Sequence, residues 1–151
     1  MISSTLDLSL LKADATRADL EKLCAEAKRA GVNAVLVNGS RVIQTRHWLE
    51  ESEVKTLCAI AWPLGAMDAD AKRYEVEAAL DAGAQGIATS TGMSARGATI
   101  DDIKLLREIA GEKFIVKASG GIADRRIAEA MLAAGATRLG VTQSMEILRG
   151  T

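Results

Sequence analysis

The feature that most constrains this chain is a recurring turn. Ala30-Gly31-Val32, Ala82-Gly83-Ala84 and Ala134-Gly135-Ala136 each close a helical pattern and open an apolar run. Their glycines recur at an equal interval of about 52 residues, with further helix ends near Ser52 and Gly111 between them. One strand plus one helix therefore takes about 26 residues, the size of a βα repeat. Glycine at each site suits the left-handed residue that ends a helix.

The segments between these turns read consistently. Thr16 followed by Asp19 forms a capping box, and Leu20, Leu23, Cys24 and Ala27 then share one helix face. Val32 to Val37 is a near-continuous apolar run, as expected of a strand covered on both faces. Val42, Ile43 and Leu49 belong to a second helix, and Thr56 to Trp62 to a strand ended by Pro63. A helix from about Asp70 to Asp81 precedes a strand at Gln85 to Thr89. Thr99 with Asp102 caps a helix bearing Ile103, Leu106 and Ile109; Phe114 to Lys117 is a strand; Asp124 caps a helix with Ile127 and Met131. Arg138 to Thr142 is the last strand, and Thr5 to Leu10 a possible first one. A helix after each strand means parallel pairing with right-handed crossovers. The expected fold is α/β, a TIM-barrel-like parallel βα repeat of about six strands in one domain, residues 1–151. A full eight-unit barrel takes about 250 residues, so two units are missing.

Composition narrows the partners. A chain of 151 residues that is 48% hydrophobic can bury a sizeable core. A net charge of −1 carries no basic bias, so neither nucleic acid nor an anionic membrane is an expected partner. The first residues, Met1-Ile2-Ser3-Ser4-Thr5-Leu6-Asp7, lack the basic and apolar regions of a signal peptide, and a cytoplasmic location is expected. Cys24 and Cys58 read as small buried hydrophobes and not as a disulfide. His47 is the single histidine, within the charged helix Arg46-His47-Trp48-Leu49-Glu50, and no metal or cofactor is expected.

The chemistry concentrates in Val116-Lys117-Ala118-Ser119-Gly120-Gly121-Ile122 and in Thr89-Ser90-Thr91-Gly92. An apolar strand delivers Lys117 and then two glycines, whose backbone N–H groups can face an oxyanion. An amine beside an anion cradle at a strand's carboxyl end suits carbonyl chemistry on a phosphorylated substrate. Taken alone, Lys117 reads equally as a strand-end lysine reaching for solvent.

These segments, with Leu6-Asp7-Leu8-Ser9-Leu10-Leu11-Lys12, Pro63-Leu64-Gly65-Ala66, Gly97-Ala98-Thr99 and Ala134-Gly135-Ala136-Thr137-Arg138-Leu139-Gly140, resemble the deoxyribose-phosphate aldolase family. The resemblance runs end to end and in order. It implies a (β/α)8 barrel and a class I aldolase: a lysine forms a Schiff base, and 2-deoxyribose 5-phosphate is cleaved to acetaldehyde and glyceraldehyde 3-phosphate without metal. Lys117 matches the family's second active-site lysine, which eases loss of the Schiff-base lysine's proton by like-charge proximity. Asp7 matches a polar residue of the family's site, although an acid near the chain start also reads as an ordinary turn residue. Gly92, Gly120 and Gly121 match its phosphate-contacting backbone, and Thr142 and Ser144 stand near its serine-rich final loop. Trp62 stands at an aromatic position of the family and reads as packing.

Two departures stand out. The family's Schiff-base lysine immediately precedes T-S-T-G, where this chain has Ala88. Two βα units are also missing, one of which carries an aspartate that the family uses in proton transfer; both ends of the gap lie at A-G-A turns. A lysine with no cation nearby is almost wholly protonated at neutral pH and is a poor nucleophile. Two functions therefore stay open: an aldolase with Lys117 as the sole Schiff-base former, or an inert relative that binds a phosphorylated ligand or assembles with partners. A shortened sheet also exposes edges, so a homo-oligomer is expected, with a contracted six-strand barrel as the alternative.

Overall fold

The computed structural model describes residues 6–89, 97–141 and 147. Gly92, Thr142 and Ser144 lie outside the described residues. Six strands alternate with five helices: β1 (Asp7–Leu10), α1 (Arg17–Ala30), β2 (Ala34–Asn38), α2 (Val42–Leu49), β3 (Lys55–Ala59), α3 (Ala69–Asp81), β4 (Gly86–Ala88), α4 (Ile100–Ala110), β5 (Ile115–Ser119), α5 (Arg125–Ala133) and β6 (Arg138–Gly140). A 3-10 turn, Gly39–Arg41, leads into α2. The strands form one parallel sheet in chain order, curled into a half-barrel with the helices outside.

Local chemistry sets the helix ends. Thr16 and Asp19 form the capping box of α1: the Thr16 hydroxyl accepts from the Asp19 N–H, and the Asp19 carboxylate accepts from the Thr16 N–H. Thr99 and Asp124 cap α4 and α5, their side chains accepting from the Asp102 and Ile127 N–H groups. The repeated glycines adopt positive φ as the turns require, +62° at Gly31, +95° at Gly83 and +112° at Gly135.

Alternation within each strand divides the core in two. Val35, Val37, Cys58, Ile87, Val116 and Ala118 face outward against Leu20, Leu49, Val76, Ile103 and Met131 of the helices. Ala34, Leu36, Leu57, Ala59 and Ala88 face inward, together with Leu11, Trp62 and Ile115.

Several boundaries differ from the sequence reading. The strand expected at Thr56 to Trp62 ends at Ala59, because Ala61 takes a left-handed backbone (φ +55°) that breaks the ladder. The run from Val32 starts two residues late, since Val32 belongs to the turn closing α1 and its N–H donates to the Ala27 carbonyl. Lys117 lies inside its strand and not at its end, because β5 runs on to Ser119. Of the apolar residues read into α2, Val42 and Leu49 are buried and Ile43 is 69% exposed, while Thr45 is buried with its hydroxyl donating to the Arg41 carbonyl.

Both cysteines are buried and free. Burial pushes the Cys58 thiol up to about 12, aided by the Glu75 carboxylate, and the Cys24 thiol up to about 11, slightly opposed by Lys28. The native protein is therefore expected to leave a thiol reagent unconsumed at mildly alkaline pH, and to titrate both thiols once unfolded. Rapid labelling of the folded chain would contradict this burial. Among the described residues no helix is long and apolar enough to cross a membrane.

Candidate active site

At the expected gap, the sheet is continuous. β3 pairs directly with β4, Leu57 opposite Gly86 and Ala59 opposite Ala88. Gln85, just before β4, accepts through Oε1 from the Thr56 N–H and from the Arg46 guanidinium, each at 3.1 Å. Outside the sheet, Lys72 of α3 donates to Asp102 of α4 at 2.6 Å. Burial opposes ionisation of Asp102, but the Lys72 ammonium and the Thr99 hydroxyl outweigh it, and the carboxyl stays below its usual range. β3 and β4 are thus joined from their amino ends to Ala59 and Ala88.

Within that face lies a cavity of about 870 Å³, lined by Asp7, Ser9, Leu11 and Lys12 from β1 and the loop beyond it, Leu36 and Asn38 of β2, Trp62 and Pro63 after β3, and Lys117 and Ser119 of β5. Trp62 does more than pack. Its indole N–H donates to the Leu11 carbonyl at 3.2 Å, and the Asn38 amide donates to the same oxygen at 3.3 Å. The strained Ala61 aims it there, and the Ala61 N–H is held at 2.6 Å by the Glu75 carboxylate.

Lys117 Nζ donates to Asp7 Oδ2 at 2.6 Å. The Asp7 side chain is 4% exposed, which settles its reading: it belongs to the cavity wall and is no surface turn acid. Its other oxygen, Oδ1, accepts from Asn33 at 3.0 Å and from Arg138 Nη2 at 3.1 Å. An ionised carboxylate at this depth needs such partners, and it has three. Neither Arg138 nor Asn33 stood out in the sequence as a site residue. The available signal was alternation: Arg138 shares the inward parity of Gly140, which puts a charge on the inner face of a parallel strand.

Sheet register fixes what flanks Lys117. Its neighbour on β4 is Ala88, wholly buried, and its neighbour on β6 is Arg138. Gly140 supplies room: a methyl there would stand 3.3 Å from Lys117 Cε and collide with the Ser119 hydroxyl. Thr89 stitches β4 to β5, its hydroxyl donating to the Ser119 carbonyl and accepting from the Ser119 N–H. Gly120 and Gly121 follow with φ +86° and +72°. Gly97 packs so closely on the Gly120 carbonyl that any side chain there would overlap it, and the Ala98 N–H donates to that same oxygen at 3.0 Å. Asp7 and Lys117 are thus brought together, with Gly120 and Gly121 at the end of the strand that carries Lys117. Among the described residues no cluster of histidine, cysteine or acidic groups could hold a metal.

A half-barrel of parallel strands thus presents a lysine–carboxylate pair to a cavity at its carboxyl end. No protein-family model matches the chain. It is 33% identical over 211 aligned positions to a deoxyribose-phosphate aldolase of Bdellovibrio bacteriovorus, covering 99% of this chain and 96% of that protein. It is also 33% identical to the enzyme of the same name from Alkaliphilus oremlandii, covering 97% and 95%. The aligned span exceeds the 151 residues of the chain by about the length of two strand–helix units. Among solved structures, a putative deoxyribose-phosphate aldolase from Coccidioides immitis superposes with a TM-score of 0.61 at 23% identity, covering 98% of this chain and 84% of that one. The tetrameric deoxyribose phosphate aldolase of Aeropyrum pernix superposes with a TM-score of 0.58 at 19% identity, covering 98% and 89%. The chain belongs to the deoxyribose-phosphate aldolase family.

Proposed function

We propose that the protein is a class I aldolase acting on a phosphorylated sugar, 2-deoxyribose 5-phosphate, with Lys117 as its Schiff-base former. The observation that carries this reading is Lys117 Nζ on the wall of the cavity, 2.6 Å from a buried carboxylate. The unprotonated amine adds to the C1 aldehyde, and loss of water leaves an iminium. The C3 hydroxyl passes its proton to water as the C2–C3 bond breaks; the bonding pair becomes the C1–C2 double bond of an enamine as the iminium pair returns to nitrogen, and glyceraldehyde 3-phosphate leaves. A proton added at C2 and one water returned at C1 release acetaldehyde and the free amine. Asp7 fixes the position of Nζ and balances the positive charge that the iminium carries. The main-chain N–H groups near Gly92, Gly120 and Gly121, with Thr142 and Ser144, are the proposed anchor for the phosphate.

Reduction with borohydride in the presence of 2-deoxyribose 5-phosphate is expected to add mass at Lys117, and Lys117→Ala to abolish it. Label on Lys12, Lys55 or Lys113 instead would sink the assignment. Ala88 favours a second reading, binding of a phosphorylated ligand without turnover; calorimetric binding with no labelled lysine would select it. We further propose a homo-oligomer, a reading supported by the tetrameric state of the Aeropyrum pernix relative.

A further inference from the structure

The charges on the cavity wall do not balance. Among its described lining residues three are charged, Asp7, Lys117 and Lys12. Lys117 is paired with Asp7 at 2.6 Å, whereas no ion pair or hydrogen bond among the described residues engages the Lys12 ammonium. The Asp19 carboxyl is kept below its usual range first by its hydrogen bonds with Thr16, then by Lys22 and last by Lys12, and its capping box is complete without Lys12. We propose that Lys12 is a specificity-determining residue that selects the phosphorylated sugar, its ammonium pairing with the C5 phosphate while C1 lies at Lys117. The inference rests on the cavity being the sugar-phosphate site argued above.

The run of β1 separates the two ends of such a ligand. Asp7 opens the strand and holds Lys117, and the strand ends at Leu10, so Lys12 stands beyond its carboxyl end and is exposed at the rim. A pentose with an aldehyde at one end and a phosphate at the other needs an amine at depth and a cation at the mouth. The main chain that carries Lys12 is fixed, although its side chain is free. The Leu11 carbonyl accepts from Trp62 at 3.2 Å and from Asn38 at 3.3 Å, the Lys12 carbonyl from the Ala15 N–H at 3.3 Å, and the Ala15 carbonyl from Arg41 at 2.8 Å. Binding then has to order the rotamers of one side chain and not a loop. Arg138 of β6 reaches Asp7 of β1, which places the loop after β1 on the side of the cavity where β5 and β6 end. The N–H groups proposed as the phosphate anchor offer partial charges. A phosphate monoester carries nearly two negative charges at neutral pH, and Lys12 offers a full positive one.

The test joins two readouts: calorimetric affinity for 2-deoxyribose 5-phosphate, and the ratio of borohydride trapping rates at Lys117 with that sugar and with 2-deoxyribose. Lys12→Met is expected to bind the phosphorylated sugar about tenfold more weakly and to lower the ratio alike, whereas Lys12→Arg keeps both. Added salt should weaken binding by the unsubstituted chain more steeply than binding by Lys12→Met. Unchanged affinity in Lys12→Met, an equal loss with both sugars, or Lys12→Arg as weak as Lys12→Met overturns the inference; with Lys117 still labelled, the aldolase reading survives. Weaker binding by Lys12→Met with no label at Lys117 keeps the inference and overturns the Schiff-base assignment. No binding of 2-deoxyribose 5-phosphate by the unsubstituted chain overturns the inference, and no label as well overturns both.

Discussion

Replacing Asp7 by alanine is expected to be the most damaging single change in the chain, lowering the unfolding free energy by about 3–5 kcal/mol. The carboxylate is 4% exposed and receives Lys117, Arg138 and Asn33; those two cations have side chains only 14% and 23% exposed. Removing it leaves two positive groups facing each other in the inner wall, with little water to solvate them. Breaking a buried ion pair costs far more than the pair contributes relative to an apolar replacement, because the orphaned charge remains. For a domain of this size the melting temperature should fall by about 10 °C. A double-mutant cycle with Lys117→Met tests the cause, since removing one of the orphans should restore part of the loss. A loss under about 1 kcal/mol in urea unfolding would mean that the pair behaves as a solvated surface contact.

A methyl group at Gly86 is expected to cost about 1–3 kcal/mol, for a reason unrelated to charge. Its Cβ would stand 2.5 Å from Ile115 Cβ and 2.7 Å from both the Ile115 carbonyl oxygen and Leu57 Cδ2. Two of those atoms belong to neighbouring β5, one of them main chain, so strand separation has to change. Gly39→Ala is the control: its Cβ would meet only Cys58 Sγ, at an ordinary 3.8 Å, and stability should stay nearly unchanged. Equal urea midpoints for the two variants would show that the inner face at β4 has slack. That outcome bears on the β3–β4 join itself, since Gly86 lies opposite Leu57 there.

Much of this architecture was legible in the chain. The glycine turns gave the period, and the caps at Thr16, Thr99 and Asp124 placed helix starts. Parallel order followed from the alternation. What was hidden depends on contacts distant in sequence. Nothing local tells that Arg138 meets Asp7, because the pairing spans nearly the whole chain and exists only once the sheet has curled. Trp62 read as packing because the left-handed Ala61 that turns it toward Leu11 has no signature, alanine being an unusual occupant of that conformation. The strand ends were missed where apolar residues serve turns, as at Val32, Ile60 and Ala61.

Five ladders of main-chain hydrogen bonds join the six strands and lock register residue by residue. Across the open side of the half-barrel, the Arg138 guanidinium of β6 reaches the Asp7 carboxylate of β1. Side chains of that length hold two strands near each other without dictating how far one has slid along the other. The open side of the half-barrel is therefore spanned by side chains that dissolved ions and neighbouring substitutions can loosen, while the ladders keep their register. The Lys117–Asp7 pair is anchored beside that span, so the spacing of its charges is set at the most adjustable line of the fold.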